Sequence, residues 1–120
     1  MAVKRIQNTY YVVADMERTV AFYRDLVGLT LRFQDGARWA QFDVGGATLA
    51  FTNTEEGAVA PGGGAVVTLE VDDLDATSRA LGNHGTVIVR QIRDMGPHGR
   101  TMAIRDPEGN VIQLYQRASK

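Results

Sequence analysis

The stretch EVDDLDATSRA (70–80) reads as a second copy of VVADMERT (12–19). In each, strand-forming residues lead into an Asp, and a helical pattern follows. Asp15 matches Asp73 at an offset of 58 residues. Further on, GGATLAF (45–51) is echoed by EGNVIQL (108–114) at an offset of 63. Two copies of one strand–helix–strands unit predict a pseudo-twofold fold with a cleft between the copies. That cleft is where function is sought.

Working outward, residues 6–13 (IQNTYYVV) have the β-branched and aromatic content of a strand. Asp15 is placed to accept from the free amides of a first helical turn. Met16, Val20, Tyr23 and Val27 recur at helical spacing, and Gly28 suits the left-handed helix end. Residues 29–33, 38–44 and 47–53 read as three further strands. The second half repeats this plan. A strand over 65–71 precedes Asp73, and Leu74, Thr77 and Leu81 share one helical face. Strands follow over 86–93, 101–105 and 110–116, the last two joined by the turn DPEG (106–109). The fold class is α+β, βαβββ twice: a module over 1–56 and a module over 64–120, joined by a Gly-rich linker at 57–63.

At 120 residues the chain is read as one domain built from two half-domains sharing a core. A formal net charge of −1 gives no electrostatic case for nucleic acid or an anionic membrane. No apolar run approaches the about 20 residues that span a bilayer. No Cys is present, which removes disulfides, thiolate metal sites and Cys nucleophiles. A cytoplasmic location is the expectation.

The strings DMERTVAFYRDLVGL (15–29), EVDDLDA (70–76) and GPHGRTMAIRDPEGNVIQLYQ (96–116) together resemble the vicinal oxygen chelate (VOC) superfamily. This group includes glyoxalase I, bleomycin-resistance proteins and extradiol dioxygenases. The resemblance runs over about residues 6–116. Its motifs are specific for the fold and nearly silent on activity. It implies two βαβββ modules whose eight strands form a curved mixed sheet around a cavity. It also implies a homodimer, in which modules of different chains often form each pocket.

In metal-dependent relatives, His and Glu on the inner strand faces hold a cation that polarises vicinal oxygens of the substrate or activates dioxygen. The resemblance places the first His seven residues ahead of the capping Asp, where this chain has Asn8, with Val66 as its counterpart in the second half. The two Glu positions fall on Ala50 and Gln113. Val66 and Ala50 have no donor atom, and the amides of Asn8 and Gln113 are weak donors for a transition metal. The reading is therefore no metal and no cofactor. His84 is read as a solvated turn residue, whereas His98, in GPHGR, lies in a loop able to reach a cavity mouth. Arg100 is expected to pair with an acid such as Asp106 or Glu108.

Strand alternation puts Asn8, Tyr10, Val12, Thr48, Ala50, Thr52, Val66, Thr68, Glu70, Val111, Gln113 and Tyr115 on the face of the lost ligands. The alternate residues, from Tyr11, Leu49 and Phe51 to Leu69, Ile112 and Leu114, are mostly apolar and should pack under the helices. The mixed face suits a neutral organic ligand. Tyr10, Tyr115 and Trp39 offer rings and polar tips, and Asn8 and Gln113 can read a carbonyl or hydroxyl. Alternatively, the amides merely satisfy each other inside a filled barrel, and Trp39 belongs to a dimer interface. The expected ligand-binding set is Asn8, Tyr10, Trp39, Thr48, Ala50, Val66, Thr68, His98, Gln113 and Tyr115.

Two ligand-handling functions remain, beside a structural or regulatory module with no catalytic duty. One is a metal-free binder of the bleomycin-resistance type, sequestering an aromatic or polycyclic compound such as an antibiotic. The other is a VOC-fold enzyme. That enzyme would be a metal-independent isomerase, cyclase or lyase using Tyr10, Glu70 or His98, or a metal-dependent lyase or dioxygenase with atypical ligands. A Glu in apolar surroundings would titrate high and serve as a base.

Overall fold

The computed structural model describes residues 4, 6–54 and 64–119. The chain forms two compact units, Met1–Gly63 and Gly64–Lys120. The expected linker, 57–63, lies outside the described residues.

The first unit runs β1 (Thr9–Val12), α1 (Met16–Ala21), a π-helical turn (Phe22–Leu26), β2 (Thr30–Asp35), β3 (Trp39–Val44) and β4 (Ala47–Thr52). The second runs β5 (Val67–Glu70), α2 (Leu74–Asn83), β6 (Val87–Asp94), a 3-10 turn (Gly96–His98), β7 (Arg100–Arg105) and β8 (Val111–Gln116). Each unit holds one four-stranded sheet, ordered β1-β4-β3-β2 and β5-β8-β7-β6. The first strand of each lies parallel to the last, from Thr9 opposite Leu49 and from Val67 opposite Ile112. The other pairings are antiparallel. This is the α+β, twice-βαβββ fold expected from the repeat.

The repeat holds at the level of single hydrogen bonds. Asp15 accepts from the Arg18 amide at 3.0 Å, and Asp73 accepts from the Ala76 amide at 3.0 Å. One turn on, the Thr19 hydroxyl donates to the Asp15 carbonyl at 2.8 Å, as Thr77 does to Asp73 at 2.9 Å. Each Asp thus starts its helix by satisfying an amide that has no helical acceptor.

The cores differ in chemistry. In the first unit Tyr23 is fully buried, its ring centroid 4.5 Å from that of Phe51 and 6.1 Å from that of Phe42. Tyr11 stacks on Phe51 from β1. In the second unit the corresponding layer is aliphatic, with Leu69, Leu74, Leu81, Met102, Ile104, Ile112 and Leu114 buried. Volume and pattern, rather than residue identity, carry the fold.

Several boundaries depart from the sequence reading. The first helix is α-helical only to Ala21. From there the Val27 amide donates to the Phe22 carbonyl at 3.0 Å, five residues back, which widens the turn. Gly28 ends it with φ of +86°. The first strand begins at Thr9 rather than at residue 6, and β5 begins at Val67 rather than at residue 65. Their parallel ladders start only where Leu49 and Ile112 become available, and the preceding Ile6 and Val66 stay exposed. Among the described residues no helix is long and apolar enough to cross a membrane.

Arg100 does not pair with Asp106 or Glu108. Asp106 instead accepts from the Glu108 and Asn110 amides, both at 2.9 Å, which closes the turn between β7 and β8. Arg100 forks onto Asp75 of α2, with nitrogen–oxygen distances of 3.0 and 2.9 Å. The hydrogen bonds from Arg100 hold the Asp75 carboxyl below its ordinary value of 3.8, with desolvation opposing them and the charges of Arg100 and Arg79 adding to them. The unfolded chain therefore binds the proton more readily, and the pair stabilises the fold at pH above 3.8. That contribution disappears as pH falls through the lowered native value. Asp75→Asn is expected to lower the thermal midpoint modestly at neutral pH, as befits an exposed ion pair. The gap between variant and parent should close in acid below the carboxylate range. A gap that widens in acid would contradict this account.

Candidate functional site

In each sheet, the face away from the helix carries the chemistry. On the first, Tyr10, Ala50, Gln41 and Phe33 form one row across β1, β4, β3 and β2, as successive register partners. Ala50 is fully buried beneath this layer and serves as its floor. Small size at that position lets larger neighbours close over it. The Trp39 ring stands 6.3 Å from that of Tyr10, tilted by 53°. The indole N–H donates to Gln41 Oε1 at 2.8 Å, so Trp39 offers a ligand its ring face rather than its donor. Val12 and Thr52, expected on the open face, are buried, and the Thr52 hydroxyl donates to the Arg38 carbonyl at 2.9 Å. Tyr10 and Phe33 are 36% and 54% exposed, leaving an aromatic surface that nothing among the described residues covers fully.

Asn8 lies just ahead of β1. Together with Thr48 it lines an open depression of about 410 Å³, along with Ile6, Gln7 and the Gly46–Ala47 backbone. These two residues therefore meet as the alternation predicts, although Asn8 is not in a strand.

On the second sheet, Thr68, Gln113, Ala103 and Arg90 form the matching row across β5, β8, β7 and β6. Gln113 Nε2 donates to Thr68 Oγ1 at 3.2 Å, and Gln113 Oε1 accepts from Arg90 Nη2 at 3.1 Å. The same Arg90 nitrogen reaches Thr101 Oγ1 at 3.3 Å. Tyr115 lies one row along, opposite Glu70 and Thr101. Glu70 is exposed and bonded to Arg117 at 3.0 Å, so the apolar enclosure that would make it a base is missing from this unit. Val66, ahead of β5, is 53% exposed, and His98 sits exposed in the 3-10 turn.

Within each unit, no three His, Asp or Glu side chains among the described residues converge. Gln113 turns its amide oxygen to the guanidinium of Arg90. A second cation there would be repelled.

A family model described as Glyoxalase/Bleomycin resistance protein/Dioxygenase superfamily matches residues 5–114. The chain belongs to that superfamily. Its fold is also that of lactoylglutathione lyase from Agrobacterium tumefaciens, with a TM-score of 0.78 at 19% identity over 97% of this chain and 96% of that one. It is similar to TnmS3, an antibiotic binding protein from Streptomyces sp. CB03234, at 30% identity. That match covers 98% of this chain and 99% of the other, with a TM-score of 0.77. An uncharacterized protein of Mycolicibacterium smegmatis (strain ATCC 700084 / mc(2)155) is 30% identical over 101 residues, 84% of each chain.

Sequence reasoning missed Gln41 and Arg90, and both for the same reason. Each is visible only through register. Gln41 is tied to Trp39 on the same strand, and Arg90 lies between two irregularities in the β6–β7 ladder, Ile88 to Arg90 and Arg90 to Arg93. Bulges break the alternation that assigns faces.

Tyr115 is held by a close approach. At Gly99, with φ of +92°, a Cβ would collide with the Gln116 carbonyl and lie 2.8 Å from Tyr115 Cε1. The ring therefore lies against backbone that only Gly leaves open. Gly99→Ala is expected to destabilise by about 2–3 kcal/mol and to move the Tyr115 ring. By contrast, Gly82 is helical and meets nothing within 4 Å. Gly82→Ala should stabilise by roughly 0.5–1 kcal/mol. Urea midpoints and the Tyr115 ring resonances check both, and a neutral Gly99→Ala would refute the close-approach account.

Proposed function

We propose that the protein binds and sequesters a small planar organic compound, such as an antibiotic, without a metal ion and without transforming it. The observation that carries this reading is the aromatic face of the first sheet, where Tyr10 and Trp39 stand 6.3 Å apart beside exposed Phe33. The two rings pack on each other at this distance, and their outer faces are the apolar planes on which a flat ligand would stack. Within the first unit, Asn8 and Thr48 supply polar groups, and within the second unit Gln113 and Thr68 do so beside Tyr115. The identity with an antibiotic binding protein over nearly the whole chain supports the same reading.

The ligand is expected on the faces away from the helices, with a second copy of the chain completing the site. The strands β2 and β6, each at an edge of its own sheet, expose Phe33, Val87 and Val89. Such edges favour association. Sedimentation at micromolar concentration should give about twice the 13.1 kDa chain mass, and a clean monomer would refute the dimer.

A thermal-shift screen of planar antibiotics, followed by calorimetry on the best hit, tests the binding. Trp39→Ala, Tyr10→Ala and Tyr115→Ala should each weaken it by on the order of 1–3 kcal/mol, or roughly 5- to 150-fold. Recovery of a chemically altered hit would move the protein to the enzymes. Elemental analysis after growth with zinc, nickel, manganese or iron should find no stoichiometric ion. Gln113→Glu alone should recruit none either, since the new carboxylate meets Arg90. One tightly held ion per chain would overturn the metal-free reading.

A further inference from the structure

A planar ligand can be neutral or charged, and one row of the second sheet bears on which. Arg90 is exposed on the edge strand β6, yet its side chain lies across Ala103 toward the middle of the sheet. Its Nη2 is shared between Gln113 Oε1 at 3.1 Å and Thr101 Oγ1 at 3.3 Å. An arginine has no acceptor, so the Gln113 amide must turn its oxygen to the guanidinium and its nitrogen to Thr68. The result is one hydrogen-bonded chain across all four strands. It holds in place a side chain whose rotamer freedom is among the largest of any residue.

The other N–H groups of Arg90, on Nε and the second terminal nitrogen, have no partner among the described residues. No described carboxylate forms an ion pair with Arg90. Glu70, two residues along β5 from Thr68, is already bonded to Arg117. Arg93, opposite Thr101 on the same strand, adds a second cation, also without a described carboxylate partner. On a chain of net charge −1, this is a local reversal of sign. A guanidinium held through Nη2 still has N–H donors on Nε and Nη1, each able to donate a charge-assisted hydrogen bond to an anionic oxygen.

We propose that Arg90, positioned by Gln113 and Thr101, selects the ligand. The ligand class is then a planar aromatic compound bearing an anionic oxygen group, such as a carboxylate, sulfonate or phenolate. This rests on the planar-ligand reading of the preceding subsection.

The test uses two fluorescent probes with one ring system. They are 8-anilinonaphthalene-1-sulfonate and its neutral parent N-phenyl-1-naphthylamine, titrated into the full chain at low salt. The sulfonate should bind more tightly than the neutral dye. Arg90→Met should weaken the sulfonate roughly tenfold and leave the neutral dye unchanged. Arg90→Lys should recover part of the loss, since charge remains but the planar donor group held by Gln113 and Thr101 does not. Gln113→Leu, which frees the guanidinium without removing it, should weaken the sulfonate by less than Arg90→Met does. Arg79→Met removes the same charge from the exposed surface of α2 and should change neither dye. The proposal is overturned if Arg90→Met binds the sulfonate like the parent, loses both dyes equally, or loses no more than Arg79→Met. With both dyes still bound by the parent, that result leaves the planar-ligand reading standing. If the parent binds neither dye, both readings fall together.

Discussion

Everything in each unit follows from one pairing, the first strand lying parallel beside the last. A parallel neighbour is reached only by a long connection, and here it runs through the helix and two further strands, with the helix covering one face of the sheet. The capping Asp15 and Asp73, each accepting an amide at 3.0 Å, fix where that helix begins. Once it is seated, Tyr11 and Phe51, or Leu69 and Leu114, face the helix and are buried. Their alternates must then face the other way. The last strand is central in each sheet, so Ala50 and Gln113 fall in the middle of the remaining face.

The two units treat that central position in opposite ways. In the first, the small residue is on β4 and the amide on β3, as Ala50 opposite Gln41. In the second, the amide is on β8 and the small residue on β7, as Gln113 opposite Ala103. Gln41 is thereby turned to Trp39, and Gln113 to Arg90. One face is organised by rings and the other by a cation. A symmetric scaffold has acquired two chemically different surfaces through the exchange of one small and one amide side chain.

The fold is legible in the sequence because its signals are local and repeated. An Asp before a helical pattern, a helix-ending Gly and the DPEG turn each carry their own physical reason, and the offsets tie the copies together. The π-helical turn after Ala21 is not legible, because the FYRDL stretch has the same apolar spacing either way. The buried state of Ala50, Val12 and Thr52 is also hidden, since alternation names a face but not what covers it. The site residues divide along this line. Tyr10, Thr68 and Gln113 follow from strict alternation, whereas Arg90 lies between ladder irregularities that shift its register. The partner of Arg100 escapes the sequence for a related reason. Asp106 is nearer along the chain, but its carboxylate is consumed by its own turn, which leaves Asp75 as the acid within reach.

A guanidinium bonded to Gln113 sets the electrostatics of this face. Two unit charges 4 Å apart interact by about 1 kcal/mol in water and about 4 kcal/mol at the effective dielectric near a protein surface. A divalent ion beside Arg90 would be repelled by twice that, with only a neutral amide oxygen to offset it. The charge of Arg90 therefore disfavours a divalent ion beside Gln113. What the arginine retains is the attraction for a ligand's oxygen. What it gives up is the strong polarisation that lets a metal stabilise an enolate or activate dioxygen. A guanidinium can hold and orient an anionic oxygen through charge-assisted hydrogen bonds, with a weaker pull on the bonding electrons than a divalent ion exerts.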